Sequence, residues 1–220
     1  MLRPPPDVVP EIVRGDLTEE QLQAYLASDA VAVDTETLGL RHMRDRLCVV
    51  QLCDSSGRAT VVQIRPEQLR PEVPLAARAP RLKRLLEAPS VLKVFHFARF
   101  DVAAVRHYLG IEVAPLYCTR TVSKLVRTYT DRHGLKDNLV ELLDVELDKV
   151  TRHTDWSSPE LSPEQVRYAI SDVTLLIPLM EKLNVMLDRS ARRALAEECF
   201  QAIPTMAKLD LLEFDLLFEH

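Results

Sequence analysis

The stretch Val31-Ala32-Val33-Asp34-Thr35-Glu36 limits what this chain can fold into more than any other segment does. Its β-branched, apolar opening reads as a buried strand, and successive side chains of a strand point to opposite faces. Asp34 and Glu36 therefore share a face, side by side, where the strand ends. Two carboxylates held that close repel, and burying even one unpaired charge is expensive. A fold that keeps this strand must bring something to its end that neutralises both.

The rest of the pattern shows what surrounds the strand. Residues 18–27 form a short helix with a capping-box start, Thr18 followed by Gln21. Strands are expected over 30–36, 47–53 and 59–64, the last two joined by the turn residues Asp-Ser-Ser-Gly-Arg into an antiparallel meander. A Pro-rich connection (66–80) leads to a helix near 81–87. A strand (91–97) then runs into a helix (98–110) stopped by Gly110. Helices follow over 134–145 and 162–187, the second capped by Ser162, with Pro163 at its first position and a kink expected at Pro178. A meander, a β-α unit and then helices make an α/β chain, a mixed β-sheet flanked by helices, and the ribonuclease H-like fold suits that order best. At 220 residues the expectation is a single domain, with a core over about 30–185 and a C-terminal helical tail over 190–220.

Composition narrows the class. With 47% hydrophobic and 28% charged residues the chain has material for a sizeable core, and no run of 18 apolar residues suggests a membrane span. Prolines occupy the N-terminus where a secretion signal needs an apolar stretch. The four cysteines show neither C-x-x-C spacing nor zinc-like partners, so reduced, buried thiols in a cytoplasmic protein are expected. A formal charge of −5 argues against wrapping long nucleic acid, though not against a substrate carrying one or two phosphates.

Two further acids sit in apolar surroundings: Asp101, early in a helix beside Phe97, Phe100 and Val102, and Asp172, on a late helix among Ile170, Val173 and Leu175. Tyr168 lies four residues before Asp172 and so projects from the same helical face. Singly, each has an ordinary reading as a cap, a solvent-facing acid or a core tyrosine. Together the four carboxylates lack matching buried cations, and hard divalent ions, Mg²⁺ or Mn²⁺, resolve that excess. Two such ions roughly 4 Å apart are a recurrent device for in-line attack on a phosphodiester.

These motifs, in this order, resemble the DEDD superfamily of 3′→5′ exonucleases in its tyrosine-bearing, ribonuclease D-like branch. "DRLCVVQL", "HGLKDNLVELLDVELDK" and "DWSSPELSPEQVRYAISDV" carry the likeness beyond the acids. The resemblance implies that Asp34, Glu36 and Asp172 hold one cation and that Asp34 bridges to a second. Asp101 supports that second ion through water, and Tyr168 orients the attacking water. Among branch members, "AVDTETLGL", "KVFHFARFD", "SKLVRTYTDRHGLK" and "CFQAIPTMAKLDLLEFD" are most similar to the small, stand-alone nanoRNase C type, which removes very short RNAs, particularly dinucleotides. About 35 residues follow the third motif, too few for the helical nucleic-acid-binding domains of longer ribonuclease D proteins.

Substrate contacts expected from this likeness are Leu40 as a wedge against a base, with His96 and Phe97 near the terminal nucleotide. The cluster Arg127, Arg132, His133 and Lys136, ahead of a helix starting at Gly134, is a candidate site for a 5′-phosphate. The tail, with Leu209, Leu211, Leu212, Phe214, Leu216, Leu217 and Phe218, is too apolar to stand free. It either docks on its own core or joins a subunit interface, and the resemblance implies a homo-octamer. A general 3′→5′ exonuclease on longer RNA or DNA is the alternative within the same chemistry. A non-catalytic RNA-binding scaffold is the alternative outside it.

Overall fold

The computed structural model describes residues 7–147, 155–214 and 217; Leu216 and Phe218 of the tail lie outside them. In chain order the elements are β1 (Glu11–Arg14), α1 (Glu19–Leu26), β2 (Ala30–Thr37), β3 (Leu47–Asp54) and β4 (Ala59–Gln63). A 3-10 turn (Pro66–Leu69), α2 (Leu75–Arg78), α3 (Pro80–Leu86), β5 (Leu92–Phe95), α4 (Ala98–Leu109) and β6 (Leu116–Cys118) follow. Five further helices follow among the described residues: α5 (Thr119–Val126), α6 (Leu135–Leu143), α7 (Pro163–Thr174), α8 (Leu176–Arg189) and α9 (Arg193–Leu211). The strands form one mixed sheet in the order β1-β4-β3-β2-β5-β6. The meander β2-β3-β4 is antiparallel, whereas β5 and β6 extend the sheet parallel to β2, and β1 lies parallel to β4.

Strand alternation divides the core. Val31, Val33, Val50 and Leu52 face one layer with residues of α1, α3 and α4. The opposite face carries Ala30, Ala32, Cys53 and Ala59 under Ala169, Ile170, Leu176 and Leu183 of α7 and α8. Small side chains on that face let these helices approach the sheet closely, which brings α7 within reach of β2. Every residue of β3 and β4 is buried, as a central strand pair covered on both faces requires.

The capping boxes at Thr18/Gln21 and Ser162/Gln165 are both formed. Gly110 closes α4 with φ +65°, a left-handed conformation that glycine adopts without a Cβ penalty. Two expectations change. No strand is expected ahead of residue 30, yet Glu11–Arg14 pairs with β4 as an edge strand. The helix expected over 162–187 is two helices, broken at Leu175 rather than kinked at Pro178. A proline ring at 178 collides with the carbonyl four residues back, that of Thr174, and has no N–H to offer it. The helix therefore ends at Thr174, and Pro178 falls in the first turn of α8, where it is tolerated.

Candidate active site

Asp34 and Glu36 project from the end of β2 toward α7, and Asp172 descends from α7 to meet them. Ligand oxygens of these three residues all lie within 4.8 Å of one another. One Mg²⁺ with oxygens at about 2.1 Å needs them no more than about 4.2 Å apart, so small side-chain movements suffice. Asp101 reaches the same strand end from the other face. It is buried, and Thr35 Oγ1 donates to its Oδ1 at 2.6 Å. The sheet thus ends in a three-carboxylate cluster on one face and a single tethered carboxylate on the other.

The electrostatics show how poorly these acids tolerate one another. Desolvation, followed by the charges of Asp101, Asp172 and Glu36, raises the Asp34 pKa well above the usual carboxylate range. Burial and the charges of Asp172 and Asp101 push Glu36 up to about 8. Burial lifts Asp101 to about 7 against the opposing hydrogen bond from Thr35. No lysine or arginine contributes to any of these three shifts. An all-oxygen, multiply acidic donor set of this kind fits a hard divalent cation. Tyr168, one helical turn from Asp172, is half-buried, its ring 6.1 Å from that of Trp156.

Leu40 lies in the loop after β2 and is 84% exposed. Asp45 braces that loop by accepting from the Arg41 N–H at 3.0 Å and from both the Nε and Nη2 of Arg44. His96 and Phe97 leave the end of β5 beside Asp101. The Thr119 hydroxyl donates to the Phe95 carbonyl at 3.0 Å, so its oxygen accepts from His96 Nδ1–H at 2.8 Å. Burial, with a further contribution from the Arg120 charge, holds His96 at about 4, a neutral imidazole at physiological pH. Phe97 has φ +73° and is 44% exposed. A bulky side chain in the left-handed region is strained, and such strain concentrates at functional sites.

The basic cluster divides. Arg127 is fully buried; its guanidinium donates to Ser123 Oγ, the Arg132 carbonyl and Asn138 Oδ1, and pairs with Glu141. It fastens the loop between α5 and α6 from inside, which takes it out of the expected contact with a substrate phosphate. His133 is tied to Ser123 Oγ at 2.9 Å. Arg132 is exposed and paired with Asp137, and Lys136 faces Glu146 at 3.6 Å. Asp137 also stands in the first turn of α6, so the helix start expected to take an anion has a carboxylate of its own. Sequence reading missed Arg120 and Lys124, one helical turn apart on α5. With Phe97 they line a cavity of about 230 Å³, and Arg120 lies 4.6 Å from the Phe97 ring centroid. The Thr-Arg-Thr-Val-Ser-Lys run carried that signal as a basic pair spaced i, i+4, but its relation to Phe97 exists only in the fold.

Comparison with known proteins follows the same lines. The family model for 3′-5′ exonucleases matches residues 11–188. A ribonuclease D of Gluconacetobacter diazotrophicus is 35% identical over 74% of this chain, which spans about two fifths (39%) of that relative's length. Brucella melitensis NrnC bound to pGG is 44% identical, with a TM-score of 0.84 over 94% of this chain and 95% of the other. The same Brucella protein with bound Mg²⁺ is 43% identical, with a TM-score of 0.84 over 96% of each chain.

Proposed function

This chain belongs to the 3′-5′ exonuclease family, and from that premise we propose that it is a metal-dependent 3′→5′ exoribonuclease cutting very short RNAs, above all 5′-phosphorylated dinucleotides, to nucleoside 5′-monophosphates. The meeting of Asp34, Glu36 and Asp172 within 4.8 Å carries the reading of the reaction. The similarity to a Brucella protein bound to pGG, over nearly the full length of both chains, supports the short substrate.

In this reading Asp34, Glu36 and Asp172 hold one divalent cation. Asp34 would also serve a second ion, toward which Asp101, kept in place by Thr35, would add its charge. Bound there, Mg²⁺ or Mn²⁺ supplies a nucleophilic hydroxide near neutral pH and charge that stabilises the attacking and leaving oxygens. The Tyr168 hydroxyl aligns the water against the last phosphodiester. The new bond joins water oxygen to phosphorus, and the bond from phosphorus to the preceding 3′ oxygen breaks. That oxygen takes up a proton, and the terminal nucleotide leaves as its 5′-monophosphate. Leu40 separates the two bases, Phe97 and Arg120 receive one of them, and Arg132, His133 and Lys136 remain the candidates for the 5′-phosphate.

Exposed Leu212, Phe214 and Leu217 support a homo-oligomer, which we take to be an octamer, while Leu211 packs on the chain's own core. Four free cysteines accord with a reducing cytoplasm. The decisive experiment is a length series: 5′-phosphorylated RNAs of two to seven nucleotides, single- and double-stranded DNA, Mg²⁺ or Mn²⁺, and Asp34→Ala as control. A sharp maximum at the dinucleotide is expected. Similar rates across lengths or on DNA would make the enzyme a general exonuclease, and activity equal to the control would remove the catalytic reading. Light scattering that finds a monomer at micromolar concentration would remove the oligomer.

A further inference from the structure

Beneath α7, β3 carries a polar side chain that none of this chemistry uses. Gln51 is fully buried, and neither Nε2 nor Oε1 of its carboxamide has a hydrogen-bond partner. Buried amides are seldom left unpaired, because the lost hydration is not recovered. In the β2–β3 register Gln51 stands directly opposite Asp34. Opposed residues of an antiparallel pair project to the same face, with Cβ atoms about 5 Å apart. Around it on this face Ala32, Val49, Cys53 and Val61 are apolar and offer the carboxamide nothing. Glu36 and Gln63 stand one pair further along, opposite Val49, so the polar residue directly opposite Gln51 is Asp34.

Thr35 illustrates what a neutral donor does at this strand end. On the opposite face its hydroxyl donates to Asp101 and fixes that carboxylate. A carboxylate bound to a cation keeps lone pairs that face away from the ion, and a neighbour donating to them sets its orientation and tunes ion affinity. The geometry points to Gln51 as the positioning residue of Asp34: its carboxamide N–H, unpartnered here and opposite Asp34, is placed to donate to the carboxylate oxygen turned away from a bound cation and so to hold Asp34 on the ion. This rests on the reading of Asp34, Glu36 and Asp172 as cation ligands.

A purely structural glutamine makes a different prediction. Replacing it by an apolar residue of similar volume would then change stability alone and leave ion affinity untouched. The test uses the full chain with Gln51→Met and Gln51→Leu, and Asp34→Asn for reference. Mn²⁺ binding is titrated by electron paramagnetic resonance, and melting is followed in chelator. The expected result is a melting temperature in chelator equal to or above that of the unmodified protein, together with Mn²⁺ affinity weakened roughly 10–100-fold. A folded Gln51→Met or Gln51→Leu with unchanged affinity would overturn the assignment and leave the ligand reading standing. If both variants failed to fold, the carboxamide would be a structural requirement and the assignment would fall. An Asp34→Asn protein that binds Mn²⁺ as tightly as the unmodified one would remove the ligand reading itself, and this inference with it.

Discussion

Glu36→Gln should stabilise this protein in chelator and lose most of that advantage over the parent in Mg²⁺. Burial and two neighbouring carboxylates raise Glu36 from 4.5 to about 8. A group whose folded pKa is raised stabilises the fold below its unfolded pKa and loses that contribution as pH climbs through the folded value. For Glu36 the window runs from about 4.5 to about 8. At about pH 7.5 the penalty relative to the unfolded chain is about three pH units, on the order of 4 kcal/mol. Asp34, also raised, and Asp101, at about 7, act with the same sign. A neutral amide removes the Glu36 share. For a chain of this size roughly 2–4 °C accompanies each kcal/mol, so the variant should melt roughly 10 °C higher in EDTA at that pH.

Below about pH 4.5 the two proteins should converge, because Glu36 is then protonated in both states. Saturating Mg²⁺ narrows the gap: an ion held at 100 times its Kd adds about 2.7 kcal/mol to the parent, which offsets most of the roughly 4 kcal/mol advantage of a variant that lacks the Glu36 carboxylate. Differential scanning fluorimetry across pH, with and without Mg²⁺, reads the whole pattern. A variant that melts at or below the parent in EDTA near pH 7.5 would refute the electrostatic reasoning. A variant that gains as much from Mg²⁺ as the parent would refute the assignment of Glu36 as a ligand.

Tyr168→Phe should leave Mg²⁺ stabilisation intact while lowering kcat by about 10²–10⁴-fold, the usual worth of a positioned proton-transfer or orienting group; single-turnover kinetics on a dinucleotide check this. Phe97→Gly should relax the left-handed strain and raise the melting temperature by a few degrees, yet raise KM for dinucleotides about 5–150-fold if a base stacks there. An unchanged KM would remove Phe97 from the substrate site. Arg127→Ala should cost about 3 kcal/mol or more, because it leaves Asn138 and Glu141 without their cation, and its activity should fall only as folding does. Activity lost at full stability would restore Arg127 to the substrate.

The parts legible in the sequence are those set by local rules. The D-x-E strand, both capping boxes, the turn between β3 and β4 and the Gly110 stop depend on neighbours a few residues away, and all formed as expected. The acidic trio was legible because an apolar strand and an apolar helix carried acids that no local partner explains. The missed pieces depend on register or tertiary packing. Glu11–Arg14 is a four-residue edge strand whose partner lies some 50 residues away. Arg127 looks like any exposed cation in sequence, and only the fold around Ser123 and Asn138 makes it an internal post. Gln51 becomes meaningful only when the antiparallel register sets it opposite Asp34.

The break at Leu175 shows how one packing solution serves both core and site. Ahead of it, α7 lies over β2, β3 and β4, which sets Asp172 above Asp34 and Glu36; beyond it, α8 covers β2 and β5 and packs against α5 and α6. A helix continuous from Pro163 to Arg189 has a single axis and cannot follow both directions. Pro178 forbids the continuous form by denying Thr174 its hydrogen bond and crowding its carbonyl. The turn it enforces, at Leu175, falls three residues past Asp172, so the carboxylate is fixed near the end of a rigid helix. The small residues Ala30 and Ala32 lie beneath, and they allow that helix to approach. The residue first read as a kink in a long helix is thus what permits the third carboxylate to reach the strand and the apolar face of the sheet to be covered at the same time.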